Sequence, residues 1–136
     1  MIVRVVLENG VKVLEPITAD VESIRNNYFT TEIDTGAKWI DGKPIYRKVI
    51  DFGALPNNTS KAVAHNISNL GWVLKLEGIS KTDAGTRVSL PFVAISDVTS
   101  QISTKITDTE ITCTTGTNRS GYTQTYFIVE YTKTTD

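Results

Sequence analysis

Lys38-Trp39-Ile40-Asp41-Gly42-Lys43-Pro44-Ile45-Tyr46-Arg47-Lys48-Val49-Ile50-Asp51-Phe52-Gly53 is the densest run of committed local structure in the chain. Asp41-Gly42 suits a two-residue hairpin turn, whose central positions both need positive φ. Such a turn sets Ile40 opposite Lys43 and Trp39 opposite Pro44. Pro44 has no N–H to give to a ladder, so the strand that follows begins at an edge or just outside one. From Ile45 onward, β-branched and aromatic residues are interleaved with Arg47, Lys48 and Asp51. That pattern reads as a strand of about eight residues with one face on a core and the other in water.

Upstream, Ile2 to Leu14 reads as a second hairpin, turned at Asn9-Gly10. Its register sets Glu8 opposite Val11, Val6 opposite Val13 and Arg4 opposite Glu15 on one face, with Leu7–Lys12 and Val5–Leu14 on the other. Both faces carry aliphatics, and a lone hairpin is marginal in water, so the ribbon needs something to pack on. Pro16 ends it. Ala19 to Asn27 is the one helical stretch, with Thr18 as N-cap and Asp20 and Glu22 in the first turn, where the helix dipole favours them. Val21, Ile24 and Tyr28 share its apolar face. Thr30 to Ala37 reads as an extended connector into the central hairpin.

Downstream, Gly53 to Asn58 is a loop by its Gly, Pro and Asn content. Lys61 to Ile67 reads as a strand with Val63, His65 and Ile67 on one face and Ala62 and Ala64 on the other. Trp72 to Ile79 reads as a core strand, with Trp72, Leu74 and Leu76 inward and Lys75 and Glu77 outward. Ser80 to Gly85 is a polar tip, and Arg87 to Val93 is a strand that Pro91 confines to an edge or a bulge. Gln101 to Thr107, Glu110 to Thr115 and Thr123 to Lys133 complete the set, the first two joined tightly through Asp108-Thr109. About eight strands with short spacings and little helix predict an all-β fold, an antiparallel β-sandwich of jelly-roll-like kind. It carries an N-terminal β-hairpin and one short helix. Residues 1–35 read as an attachment or oligomerisation segment and residues 36–136 as the sandwich domain.

The chain has 136 residues, 40% hydrophobic and 21% charged, with a net charge of −1, so no global field draws nucleic acid or an anionic membrane. No partner of either kind is expected. One histidine, His65, cannot make a histidine pair or a zinc cluster, so no metal is expected. It reads either as a pH-sensitive or ligand contact or as an ordinary strand histidine beside a loop. The single cysteine, Cys113, cannot form an internal disulfide and reads as a buried, inert thiol. The aspartates fall mostly at turns, where the side chain bonds nearby backbone. No G-x-S-x-G elbow, phosphate-binding glycine loop or calcium loop is present. These residues predict no catalytic site and no cofactor, hence a protein that is not an enzyme.

Tyr46, Tyr122, Tyr126 and Tyr131, with Trp39 and Trp72, offer either a carbohydrate-stacking patch or a packing face between subunits. Residues for a contact with another subunit or another protein are Val3, Val5, Leu7, Leu14, Ile24, Tyr28, Trp39 and Tyr46. Asn118, Arg119 and Tyr122 are the candidates for glycan contact.

Three strings together resemble a known module. They are Trp39-Ile40-Asp41-Gly42-Lys43-Pro44-Ile45-Tyr46-Arg47-Lys48 with Asp51-Phe52-Gly53-Ala54-Leu55-Pro56-Asn57, then Val63-Ala64-His65-Asn66-Ile67, then Thr115 to Thr123 leading into Val129-Glu130-Tyr131-Thr132-Lys133-Thr134. The stretch from residue 30 to 136 resembles a domain that recurs, often as the C-terminal piece, in structural proteins of tailed bacteriophages: tail fibres, head fibres, baseplate appendages and minor structural proteins. The resemblance implies a β-sandwich, usually a homotrimer, without cofactor or catalytic residues. It places the protein in the virion, made in the host bacterial cytoplasm, as a short trimeric fibre or decoration on the head or tail. Other virion proteins are then partners through the N-terminal segment. The alternative is a carbohydrate-binding adhesin on the tail that contacts host surface glycan.

Overall fold

The computed structural model describes residues 3–8 and 11–16 as strand backbone and residues 24–136 in full. Strands β1 (Val3–Glu8) and β2 (Val11–Pro16) pair antiparallel as their own two-stranded sheet. Their register sets Glu8 against Val11, Val6 against Val13 and Arg4 against Glu15, as a two-residue turn requires. Residues 24–26 are helical. The remainder of the expected helix, with Thr18 and Val21, lies outside the described residues, as do the side chains of Val3, Val5, Leu7 and Leu14.

The rest of the chain is an antiparallel β-sandwich. One sheet has five strands in the order β3 (Ile33–Lys38), β4 (Pro44–Asp51), β10 (Tyr122–Lys133), β6 (Leu70–Thr82) and β7 (Arg87–Leu90). The other has three, β5 (Ser60–Ala64), β9 (Glu110–Thr115) and β8 (Ile102–Ile106), with β9 in the middle. β10 alternates cleanly, so Phe127, Val129 and Tyr131 all turn inward and meet Ile111, Cys113, Ile102 and Phe52 in one core. Each fully buried large side chain stabilises the fold by about 1.5–3 kcal/mol. Gly78 makes room for this packing: a Cβ there would stand 2.5 Å from Phe127 Cε1.

The central hairpin turns by a different route from the one its dipeptide suggests. Trp39 N–H bonds Lys43 O and Gly42 N–H bonds Trp39 O, both at 2.9 Å, and Lys38 pairs with Pro44. Ile40, Asp41 and Gly42 therefore form a three-residue loop in which Gly42 takes positive φ (+85°) and Asp41 does not. This is a type I turn closed by a left-handed glycine. Asp41 Oδ1 accepts from Lys43 N–H (3.0 Å), which favours the wider turn. Thr82 to Thr86 repeats the device, with Gly85 at +100°.

Two further expectations are revised. Thr30 to Ala37 is not merely a connector, because Ile33–Lys38 is the edge strand β3, and residue 35 lies within it. In β6, Trp72 is 71% exposed and Leu74 lies outside the core, whereas Val73 and Leu76 pack against it. Register shifts against β10 on both sides of the Val73–Tyr131 pair each insert an extra β6 residue, which breaks the inward–outward alternation that the sequence pattern assumes. β7 ends at a cis Leu90–Pro91 bond, after which Phe92 pairs with Ile102 and the chain crosses to the smaller sheet.

Candidate functional site

Strict alternation along β4 and β10 sends Ile50, Phe127 and Val129 inward and Arg47, Val49, Asp51, Tyr126, Ile128 and Glu130 to the opposite face. Register aligns these outward residues in rows across the five-stranded sheet. Asp51, Tyr126, Ile79 and Ser89 form one row; Val49, Ile128 and Glu77 form the next; Ile33, Arg47, Glu130 and Lys75 form the third.

One corner of this face is covered. Arg47, whose side chain is 13% exposed, donates through Nη1 to the carbonyls of Arg25 (3.1 Å) and Asn27 (3.2 Å). It also lies 4.6 Å from the Tyr28 ring centroid and pairs with Glu130 through Nε (3.4 Å). Phe29 O accepts from Val49 N–H at 2.9 Å. Residues 24–29 thus form a strap, its carbonyls at the end of the helical turn held by a cation, where the helix dipole favours one. Ile33 is buried yet stands outside the core cluster, directly opposite Arg47. Ile24 and Tyr28, by contrast, remain 50% and 59% exposed.

Among the described residues nothing covers the opposite corner. Glu77, Ile79, Ser89, Tyr126 and Ile128 line a groove of about 390 Å³ floored by Leu76 and Leu90. Ile79 is 46% and Tyr126 43% exposed, and Trp72 stands out on the same sheet. Contiguous apolar surface of this kind marks a contact site more often than scattered exposed aliphatics do.

Tyr46 and Tyr131 belong to a different arrangement, at the end of the sandwich that carries the β3–β4 turn. Their rings stack at 6.0 Å. Tyr131 O–H donates to Glu32 Oε1 (2.5 Å), Lys133 Nζ pairs with Glu32 Oε2 (2.7 Å), and Tyr46 O–H donates to Asp136 Oδ2 (2.8 Å). Its hydrogen bond to Asp136, then burial and nearby carboxylates, push the Tyr46 phenol up to about 12. Burial first, then the bond to Glu32, raises Tyr131 as well. This network fastens the chain just before β3 and the C-terminal residue to the same sheet end.

The other sequence candidates fall apart in space. Trp39 is half-buried at the β3–β4 turn. Asn118 is exposed, but Arg119 is engaged within the chain: its guanidinium lies over Phe92 and Tyr122 at 5.3 and 5.6 Å and donates through Nη2 to Ser100 O. Tyr122 is partly buried against the core. His65 is 1% exposed; Nδ1 accepts from Ile67 N–H (3.0 Å), so the ring proton sits on Nε2, facing Thr107 O (2.9 Å). The histidine is a structural clasp between β5 and the β8–β9 turn. Cys113 is fully buried, and burial pushes its thiol up to about 12, away from the reactive thiolate.

Among the described residues no group of three or more His, Cys, Asp or Glu side chains is placed to hold a metal ion. No described helix is long and apolar enough to cross a membrane. Sequence reasoning named Tyr28 and Tyr126 but missed Ile79, Ile128 and Arg47, whose common face is set by register. The outward positions of β10 are the signal that pointed to it. No protein-family model, curated protein or solved structure matches the chain.

Proposed function

We propose that this chain is a bacteriophage virion structural protein, displayed as a short trimeric fibre or decoration on the head or tail. The reading starts from the resemblance carried by Trp39 to Lys48, Val63 to Ile67 and Thr115 to Thr123. The observation that carries it further is the outer face of the five-stranded sheet, strapped at one corner by residues 24–29 and bare over Ile79, Tyr126 and Ile128. Such a face supports assembly with further copies, and an N-terminal segment that engages another virion protein by strand addition fits the same reading. Closed rings bury a face of this kind without open-ended growth.

Removal of residues 1–29 tests the reading. The two sheets are expected to stay folded, by circular dichroism and a cooperative melt, while the truncated protein no longer enters particles. Particles that still carry the truncated protein overturn it. A carbohydrate-binding adhesin draws support from Trp72, 71% exposed on the bare sheet and suited to stacking on a sugar ring. A glycan array that shows no binding by the full chain removes that alternative.

A further inference from the structure

Residues 24 and 136 lie at the same end of the sandwich. The strap runs antiparallel to β3: the Arg25 side chain lies against Gly36, where a Cβ would stand 3.2 Å from it, and Phe29 O reaches Val49 N–H. The register of β3 on β4, from Ile33–Arg47 to Lys38–Pro44, leads towards the β3–β4 turn. Ile24 therefore stands at the turn end and Phe29 further from it. The last residues return to that end. Lys43 Nζ donates to Lys133 O (3.3 Å), Thr134 N–H to Asn69 O (2.8 Å) and Tyr46 O–H to Asp136 Oδ2 (2.8 Å). At the other end of the strands three loops are tied to one another. Leu55 N–H donates to Tyr122 O (3.0 Å), Asn58 N–H to Thr117 O (3.0 Å) and Arg119 N–H to Pro56 O (3.1 Å). Thr123 Oγ1 donates to Asp83 Oδ1 (2.6 Å), beside the Thr82–Tyr122 pair. β10, 12 residues long at about 3.3 Å per residue, sets this loop end about 35 Å from the turn end.

Residues 17–23 join Pro16 to Ile24 and span at most about 25 Å when fully extended. That is shorter than the sandwich, so the base of the β1–β2 hairpin cannot reach the loop end. Arg47 Nη1 holds the carbonyls of Arg25 (3.1 Å) and Asn27 (3.2 Å), which makes the junction a fixed part of the sheet. We infer that the sandwich is displayed with a set polarity. The turn end, with Lys38 and Ile40, faces the virion protein to which the N-terminal segment attaches. The loops 53–58, 82–86 and 116–122 form the outward tip. This rests on the proposed attachment through the N-terminal segment and adds the direction in which the sandwich points.

Thiol labelling of assembled particles tests the polarity. The native Cys113 is fully buried, so a new surface cysteine reports alone. Ile40, 90% exposed at the turn end, and Ala84, exposed at the loop end, are changed singly to give Ile40→Cys and Ala84→Cys. In the free chain both are expected to react with a maleimide dye. On particles, Ala84→Cys is expected to keep its labelling and Ile40→Cys to lose it. The reverse pattern, labelling of both, or loss of both overturns the inference. An Ile40→Cys that is unreactive already in the free chain overturns it too, because the turn end is then held against another copy. In each of these cases, detection of the chain in the particles by immunoblot leaves the attachment reading standing. Particles that lack the unmodified chain remove the reading and the inference together. Should either variant fold poorly, Lys38→Cys and Thr86→Cys, at exposed positions of the same two ends, repeat the comparison.

Discussion

The two sheets turn very different faces to the outside. On the three-stranded sheet the outward rows are Ser60, Thr114 and Ser103, then Ala62, Thr112 and Lys105. On the five-stranded sheet they include Tyr126 with Ile79 and Ile128 with Val49. Both faces come from the same two-residue alternation over the same core. Short hydroxyl and methyl side chains leave little apolar area in water, and their polar atoms bond water or one another, as Ser60 Oγ and Thr114 Oγ1 do at 2.6 Å. Large side chains on the other face leave an apolar surface that, among the described residues, a strap covers at one corner only. Two sides of one fold therefore separate into a finished surface and an unfinished one.

The largest effect that sharpens this contrast is on association. Tyr126→Lys on the unfinished face is expected to abolish self-association by light scattering, whereas Thr112→Lys on the finished face leaves it unchanged. Equal loss from both would break the comparison. Next comes the strap. Arg47→Met removes the donor to two backbone carbonyls and the partner of Glu130, with an expected cost of about 2 kcal/mol. Trypsin cleavage after Arg25 should then speed up on the order of tenfold. Ser60→Ala on the opposite face should stay within about 0.5 kcal/mol. A resistant Arg25 in Arg47→Met would show that the strap is held by other means.

The smallest effect is at high pH, where the network at the sheet end gives way. The Tyr46 phenol is raised from its ordinary 10.0 to about 12, so the folded state holds the proton more tightly than the unfolded chain. The stability this contributes is fully present below pH 10 and is lost as pH rises through 12. Tyr46→Phe, which cannot ionise, should show a flatter decline in melting temperature across that window. Tyrosinate absorbance checks the same transition directly.

How much of this was legible beforehand depends on the span over which each feature is decided. The β1–β2 register follows from a dipeptide and its flanks, and is observed as the sequence implies. The inward set of β10 and the inert Cys113 follow from local alternation. Asp41-Gly42 marks the turn correctly, but its length depends on which carbonyl Trp39 and Gly42 N–H groups reach, and a three-residue loop with a left-handed glycine satisfies both. Trp72 shows the limit more sharply. Its alternation is regular on paper, yet two irregularities in pairing with β10 decide which way it points, and the partner strand lies about 60 positions away. Arg119 looks like an exposed recognition residue in a loop, and only the approach of Phe92, Tyr122 and Ser100 occupies it.

By itself, then, the sequence determined an all-β chain with most of its strands and turns, the inward set of β10, and a buried cysteine without reactive company. Those depend on period and on residue chemistry within a few positions. The tertiary structure alone decided that Ile33, Arg47, Val49, Ile128, Ile79 and Glu77 share one face, that the segment before β3 folds back as a strap across it, and that a groove stays open beside the strap. Register between distant strands brings these residues together, and register is set by the sum of many pairings across the sheet, which no local stretch contains.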